Sequence, residues 1–251
     1  MNTRRDFIKK TALTGAGITM FHNIINAVMI DSAPKGITLE KDSVILFQGD
    51  SITDCERKRD SITCNNTNQL GLGYVLFTAS ALLNRHAAKQ PKIYNRGISG
   101  NKVFQLRERW EIDALSFMPN VLSILIGVND YWHTLNGGYK GTVEKYETDL
   151  RNLLKYTKKK LPNLHLVLCE PFALKGGSAI NDANWFPMFD DYRKSLKKLS
   201  DEFNAIFVPF QSVFDEAVKF APATYWSADG VHPDLPGRQL MAEAWLKATG
   251  L

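Results

Sequence analysis

Ser43-Val-Ile-Leu-Phe-Gln-Gly-Asp-Ser-Ile-Thr53 sets four consecutive apolar residues before a glycine and a short polar turn. A run so short, ending at a turn signal, reads as a buried strand and is too brief for a helix. Working outward, the same unit recurs at residues 92–94, 121–126, 164–168 and 205–208. Longer stretches with helical spacing separate these runs, at residues 69–88, 103–115, 143–160 and 187–203. A last helix is expected over residues 235–248, opened by Pro236. Leu150, Leu153, Leu154 and Thr157 illustrate the apolar stripe of such a helix. Strands alternating with helices, without hairpin signals, predict an α/β fold: a mostly parallel five-stranded sheet with helices on both faces. No repeat, linker or low-complexity tract interrupts the pattern, so residues 34–251 are expected to form one domain. In open parallel sheets ligands bind beyond the carboxyl ends of the strands, where strand order reverses. The loops after each apolar run are therefore where function is to be sought.

Composition bounds what that function is. At 251 residues, 44% hydrophobic and 23% charged, the chain suits an ordinary globular protein and excludes a disordered or fibrous one. The net charge of +5 suggests a polyanion until its location is checked. Residues 1–33 hold four basic groups and two acids, which leaves an excess of three on the remainder with no basic stripe. Lys158, Lys159 and Lys160 close an expected helix, where cations complement the helix dipole. The footprint of a nucleic-acid partner is missing.

Thr3-Arg4-Arg5-Asp6-Phe7-Ile8-Lys9-Lys10 precedes a charge-free, moderately apolar run that extends to Ile30. A basic segment before an apolar one is the pattern of an export signal. The paired arginines resemble the bacterial twin-arginine address, which implies export to the periplasm. His22, Asn23 and Asn26 interrupt a run that would need about 20 apolar residues to serve as a stable membrane anchor. Residues 1–33 are thus read as an export signal, with Ala27 and Ala33 both candidates for the cleavage point. The chain has three cysteines, an odd number, so no complete disulfide framework exists. Cys169 reads as a strand residue, and Cys55 and Cys64 share a polar loop where an oxidising compartment could join them.

Four loops at the expected ligand edge carry chemistry. The first holds Gly49-Asp50-Ser51, the second Gly97-Ile98-Ser99-Gly100-Asn101, the third Gly127-Val128-Asn129-Asp130. The fourth, before the last helix, is Asp229-Gly230-Val231-His232-Pro233. A serine hydroxyl is a weak nucleophile until a base takes its proton, and histidine suits that task at neutral pH. His232 is the candidate base for Ser51, and Asp229, three residues earlier, is the candidate orienting carboxylate. Together they make the Ser-His-Asp division of labour. The N–H groups of Ser51 and Gly100 and the side-chain amide of Asn129 are candidate donors for an oxyanion. Taken singly, each loop has a plain reading as a turn. Their conjunction at one edge is what points to acyl transfer. Of the other histidines, His22 falls in the signal, His86 ends a helix and His165 starts a strand. His133, close to Asn129, is kept as a candidate substrate contact.

At these residues the chain resembles the GDSL, or SGNH, hydrolase family, and the resemblance covers the whole of residues 34–251. Gly-Asp-Ser51-Ile-Thr matches the first family block, Ile-Ser-Gly100-Asn the second and Gly-Val-Asn129-Asp the third. Asp229-x-x-His232-Pro matches the last. Gly97 also lies in the second block, but Gly100 fits its spacing better. The resemblance implies a three-layer α/β/α flavodoxin-like fold, no metal or other cofactor, and ester or thioester hydrolysis through an acyl-serine. The polar insertion over residues 55–73 is a departure expected to shape one wall of the cleft. Gly-x-Ser-x-Gly is absent around Ser51, so the α/β-hydrolase pattern fits less well.

Aromatic residues crowd the loops beyond the third to fifth strands, among them Trp132, Trp185 and Trp226. Flat rings beside amides and acids suit a sugar, which stacks by its C–H face and hydrogen-bonds by its hydroxyls. Asp50, Trp132, His133, Trp185 and Trp226 are therefore the candidate substrate-binding residues. The expected activity is removal of a small acyl group, acetyl first, from a carbohydrate. The alternatives are a lipase or lysophospholipase of the same family, and a catalytically silent glycan-binding protein.

Overall fold

The computed structural model describes residues 23–29 and 36–251. Its strands are β1 (Val44–Gly49), β2 (Lys92–Asn95), β3 (Val121–Leu125), β4 (His165–Cys169) and β5 (Ile206–Val208). They form one sheet in the order β2-β1-β3-β4-β5, and every neighbouring pair is parallel. Ile45 of β1 faces Ile93 of β2 on one side and Val121 of β3 on the other. The order reverses between β1 and β3, and the expected three-layer α/β/α fold is the one observed.

Residues 23–29 are helical and are called α1. The helices that follow in the first half are α2 (Ser51–Asp54), α3 (Thr67–Leu70), α4 (Tyr74–Arg85), α5 (Val103–Asp113) and α6 (Val128–Leu135). The second half adds α7 (Val143–Lys160), α8 (Asp182–Trp185), α9 (Met188–Glu202), α10 (Phe210–Ala217), α11 (Ala223–Trp226) and α12 (Leu235–Thr249). Helices α4, α10 and α12 pack together on one face, and α5, α7 and α9 on the other.

Local chemistry sets several helix ends. The Thr142 side chain accepts from the Lys145 N–H at the start of α7, and Lys158 to Lys160 occupy its last turn. In α12, Pro236 stands in the first turn and Gly250 caps the end in the left-handed region. The helix expected over residues 69–88 is broken in two. Gly71 adopts φ +77°, and a Cβ there would lie 2.5 Å from the Asp54 carbonyl oxygen, so α3 ends and α4 restarts after Gly73.

The core fills both sides of the sheet. Trp245 of α12 packs on Phe47 with ring centroids 5.2 Å apart, and its indole N–H donates to the Ser123 hydroxyl at 2.9 Å. Replacing so buried a ring by alanine costs about 3–5 kcal/mol. On the other face the Trp110 indole donates to Thr157 at 2.8 Å. Of the segment expected to be an export signal, residues 1–22 and 30–33 lie outside the described residues. In α1, Ile24, Ile25 and Met29 are buried against the core. Among the described residues no helix is long and apolar enough to cross a membrane.

Candidate active site

All four loops singled out in the sequence meet beyond the carboxyl ends of β1, β2 and β3. Ser51 is the first residue of α2, directly after β1, so helix geometry leaves its N–H without a partner in its own helix. Asp50 caps that helix by accepting the Ile52 N–H at 3.0 Å. Gly49 must be a glycine for close approach: a Cβ there would collide with the Leu125 carbonyl and the Thr53 side chain.

The Ser51 hydroxyl oxygen lies 2.8 Å from His232 Nε2. His232 Nδ1 lies 2.6 Å from Asp229 Oδ2. Asp229 Oδ1 meanwhile accepts the backbone N–H groups of Val231 at 2.8 Å and His232 at 2.7 Å. A turn of three residues thus clamps its own carboxylate, with one oxygen held by the backbone and the other turned to the ring. Burial pushes the Asp229 carboxyl up, but hydrogen bonds from the His232 ring and from the two N–H groups outweigh it. The group is held well below the usual carboxylate range. The hydrogen bond to Asp229 raises His232 above its ordinary value, against the opposing effect of burial.

Gly100 adopts φ +79°, a conformation that favours glycine, and its N–H has no acceptor among the described residues. Asn129, the second residue of α6, is buried and donates its amide to the Asn101 carbonyl at 3.3 Å. That bond ties the third loop to the second and leaves the other hydrogen of the amide for a ligand. A charged lattice supports the second loop from below. Arg109 donates to Asn101 Oδ1 at 2.9 Å and to the Arg96 carbonyl at 2.8 Å, while Asp113 pairs with both Arg96 and Arg109. Arg57 donates to the Gly97 carbonyl at 2.8 Å, and Asp54 accepts the Ser99 N–H at 2.9 Å. None of Asp54, Arg57, Arg109 or Asp113 stood out in the sequence, because their role depends on which loops they bridge.

Three expected substrate contacts need correction. Asp50 is 1% exposed, Trp185 1% and Trp226 2%, so none lies open to a ligand. Asp50 serves as a helix cap. Trp185 packs between Tyr131, Trp132 and Phe189, and the Trp226 indole donates to the Ala221 carbonyl at 3.2 Å. Trp132 and His133 are more open. Both are half-buried, and the Trp132 ring centroid lies 6.2 Å from that of His232. Burial, reinforced by the Lys102 charge, lowers the His133 pKa, which favours a neutral ring. Cys55 and Cys64 are not joined: all three cysteines are free thiols, with Cys55 against Gly73 and Cys64 beside Tyr94.

One feature of the site was missed. Asp130, next to Asn129, is buried, and its Oδ1 accepts the Val103 N–H at 3.2 Å. Among the described residues, Asp130 Oδ2 and Asp50 Oδ2 each lack a hydrogen-bond partner. Burial pushes both carboxyls up to about 7. Neutral carboxylic acids thus stand beside Ser51 and beside Asn129 at moderately acidic pH. Among the described residues no group of three or more His, Cys, Asp or Glu side chains is arranged to hold a metal ion.

Known proteins share this arrangement of chain. The chain is 34% identical over 215 residues to an acetylxylan esterase of Geobacillus stearothermophilus, covering 82% of this chain and 93% of that protein. The crystal structure of an acetylxylan esterase from that organism superposes with a TM-score of 0.76 at 32% identity, over 86% of this chain and 97% of the other. Related structures are described as catalytic mutants with one serine, one aspartate or one histidine replaced, the aspartate three positions before the histidine. A structure from Parabacteroides merdae, described as a GDSL-like lipase, is 73% identical with a TM-score of 0.85, covering 86% of this chain and 99% of that one. The model of the GDSL-like lipase/acylhydrolase family matches residues 47–240. With the fold, the four loops and this match in agreement, the chain belongs to the GDSL-like lipase/acylhydrolase family and is a carboxylic ester hydrolase.

Proposed function

We propose that the protein removes acetyl groups from a carbohydrate through an acyl-serine intermediate, acting outside the cytoplasm. The observation that carries this reading is the hydrogen-bonded chain from Ser51 through His232 to Asp229, at 2.8 and 2.6 Å. His232 Nε2 takes the hydroxyl proton as Ser51 Oγ attacks the ester carbonyl carbon. Asp229 holds the proton on Nδ1, so the lone pair of Nε2 faces Ser51, and it stabilises the imidazolium that forms. The oxyanion lies among the Ser51 N–H, the Gly100 N–H and the Asn129 amide. As the tetrahedral intermediate collapses, the bond from carbon to the sugar oxygen breaks and His232 returns its proton to that oxygen. Water, activated by the same histidine, then attacks the acyl-serine, and acetate leaves as Ser51 is reprotonated.

The carbohydrate reading draws on the acetylxylan esterase relative and on the half-buried Trp132 beside His232, whose ring offers a sugar a stacking face. The export reading draws on Arg4-Arg5 and the charge-free run after Lys10. The relative described as a lipase favours a second reading, hydrolysis of longer acyl esters. Acetate release from acetylated xylooligosaccharides, set beside the rates on short- and long-chain nitrophenyl esters, separates the two. Wild type should release acetate, and Ser51→Ala should lose at least about 10⁴-fold in turnover with its thermal unfolding unchanged. A Ser51→Ala protein that keeps a tenth of the activity refutes the assignment.

A further inference from the structure

Beside Ser51 lies a cavity of about 30 Å³ whose lining includes Ser51 and His232. Ile52, Cys55, Gly73, Tyr74, Pro233 and Met241 also line it. Arg238 also borders it, but its guanidinium is turned to the carbonyl oxygens of Pro233 at 2.8 Å and Leu72 at 3.2 Å. The remaining surface is largely apolar. A polar cavity of this size would suit one water molecule held by several partners, whereas an apolar one suits a small apolar group.

The chemistry at Ser51 supplies such a group. Three substituents besides Oγ surround the tetrahedral carbon. The oxyanion points to Gly100 and Asn129, the sugar oxygen must stay within reach of His232 Nε2, and the acyl carbon takes the remaining direction. We propose that this cavity seats the methyl of the acetyl group, and that Cys55 and Met241 set the limit on acyl length. Close packing limits its growth on one side: a Cβ on Gly73 would lie 2.7 Å from Cys55 Cβ and 3.2 Å from the Ile52 carbonyl oxygen, so the end of α2 and the start of α4 already meet there. Each added methylene must displace packed side chains, and a pocket that discriminates one methylene does so by roughly 10- to 200-fold.

This inference rests on the acetyl-esterase reading, and the test separates the two. The kcat/KM values for nitrophenyl acetate, propionate and butyrate are measured for wild type, Cys55→Ala and Met241→Ala. Wild type should prefer acetate to butyrate by at least about 100-fold, and each variant should narrow that ratio by about tenfold or more. Met241 is fully buried in α12, so the half-buried Cys55 provides the variant with the smaller folding risk. A second measurement runs in the opposite direction. In a Cys64→Ser background, methyl methanethiosulfonate adds a methylthio group to Cys55 and fills the cavity. Acetate turnover should fall at least tenfold and return on reduction. A wild type that prefers butyrate overturns the acetyl reading itself. A wild type that prefers acetate, with ratios unmoved in both variants or full activity after complete modification, overturns the cavity assignment alone.

Discussion

Replacing Asp229 by asparagine is the most searching perturbation of this site, because the side chain keeps its size and only its hydrogen-bonding sense changes. Asp229 Oδ1 accepts two backbone N–H groups, from Val231 and His232, at 2.8 and 2.7 Å. An asparagine keeps both bonds only with its carbonyl oxygen in that position. Its NH₂ must then face His232 Nδ1, where Oδ2 now lies at 2.6 Å. A donor there forces Nδ1 to accept, and the ring proton moves to Nε2, which faces Ser51. The histidine then points a proton at the hydroxyl it should deprotonate. Loss of the base and of its counter-charge should lower kcat by about 10⁴-fold, or about 5.5 kcal/mol of transition-state stabilisation. Asp229→Ala imposes no tautomer, so Asp229→Asn should be at least as damaging despite being the smaller change in shape. Steady-state turnover of nitrophenyl acetate by the two variants measures this directly. An asparagine variant within tenfold of wild type, or clearly more active than the alanine variant, refutes the proposed clamp.

Other consequences follow from the same geometry. His232 must be neutral to act as base, and Asp229 raises its pKa, so the acid limb of kcat/KM should have its midpoint above the ordinary value of about 6.5. In Asp229→Ala that midpoint should move down; a limb at the same pH in both proteins would sever the link. Asn129→Ala should lower kcat by roughly 100- to 1,000-fold with little change in KM, as expected for a donor engaged in the transition state. A loss confined to KM would place its amide on the ground state. Asp50 and Asp130 have folded pKa values of about 7, above those of an unfolded chain, so the folded state holds extra protons between about pH 4 and 7. Stability from this pair is greatest below pH 4 and is lost as pH rises through 7. Thermal melts of Asp130→Asn should therefore lose less stability than wild type between pH 5 and 8, and parallel curves would contradict the burial argument.

How much of this was legible in the sequence follows from what each residue needs from its surroundings. The strands announce themselves because apolar runs such as Val121–Leu125 are buried on both faces and carry no competing helical period. Ser51, Gly100, Asn129, Asp229 and His232 were legible because they sit in turns at strand or helix ends, where a short motif and its place in the fold suffice. The break at Gly71 was not, since it depends on the Asp54 carbonyl approaching from another loop. The short helix α6 was hidden as well, because Gly-Val-Asn-Asp reads equally as a turn. Trp185 and Trp226 looked like sugar platforms because an aromatic residue in a loop has the same letter whether it faces solvent or neighbouring rings. Only packing distinguishes Trp132, beside His232, from Trp185 beneath it. The unpaired oxygens of Asp50 and Asp130 are likewise a property of three-dimensional neighbours that no spacing rule encodes.

Ser51 and His232 stand 181 positions apart, yet their side chains touch. A nascent chain still on the ribosome therefore carries Ser51 long before His232 has been synthesised. On the proposed assignment, hydrolysis of a chromogenic ester requires the loop that carries His232 to dock beside Ser51, so it reports that these two distant parts of the fold have assembled.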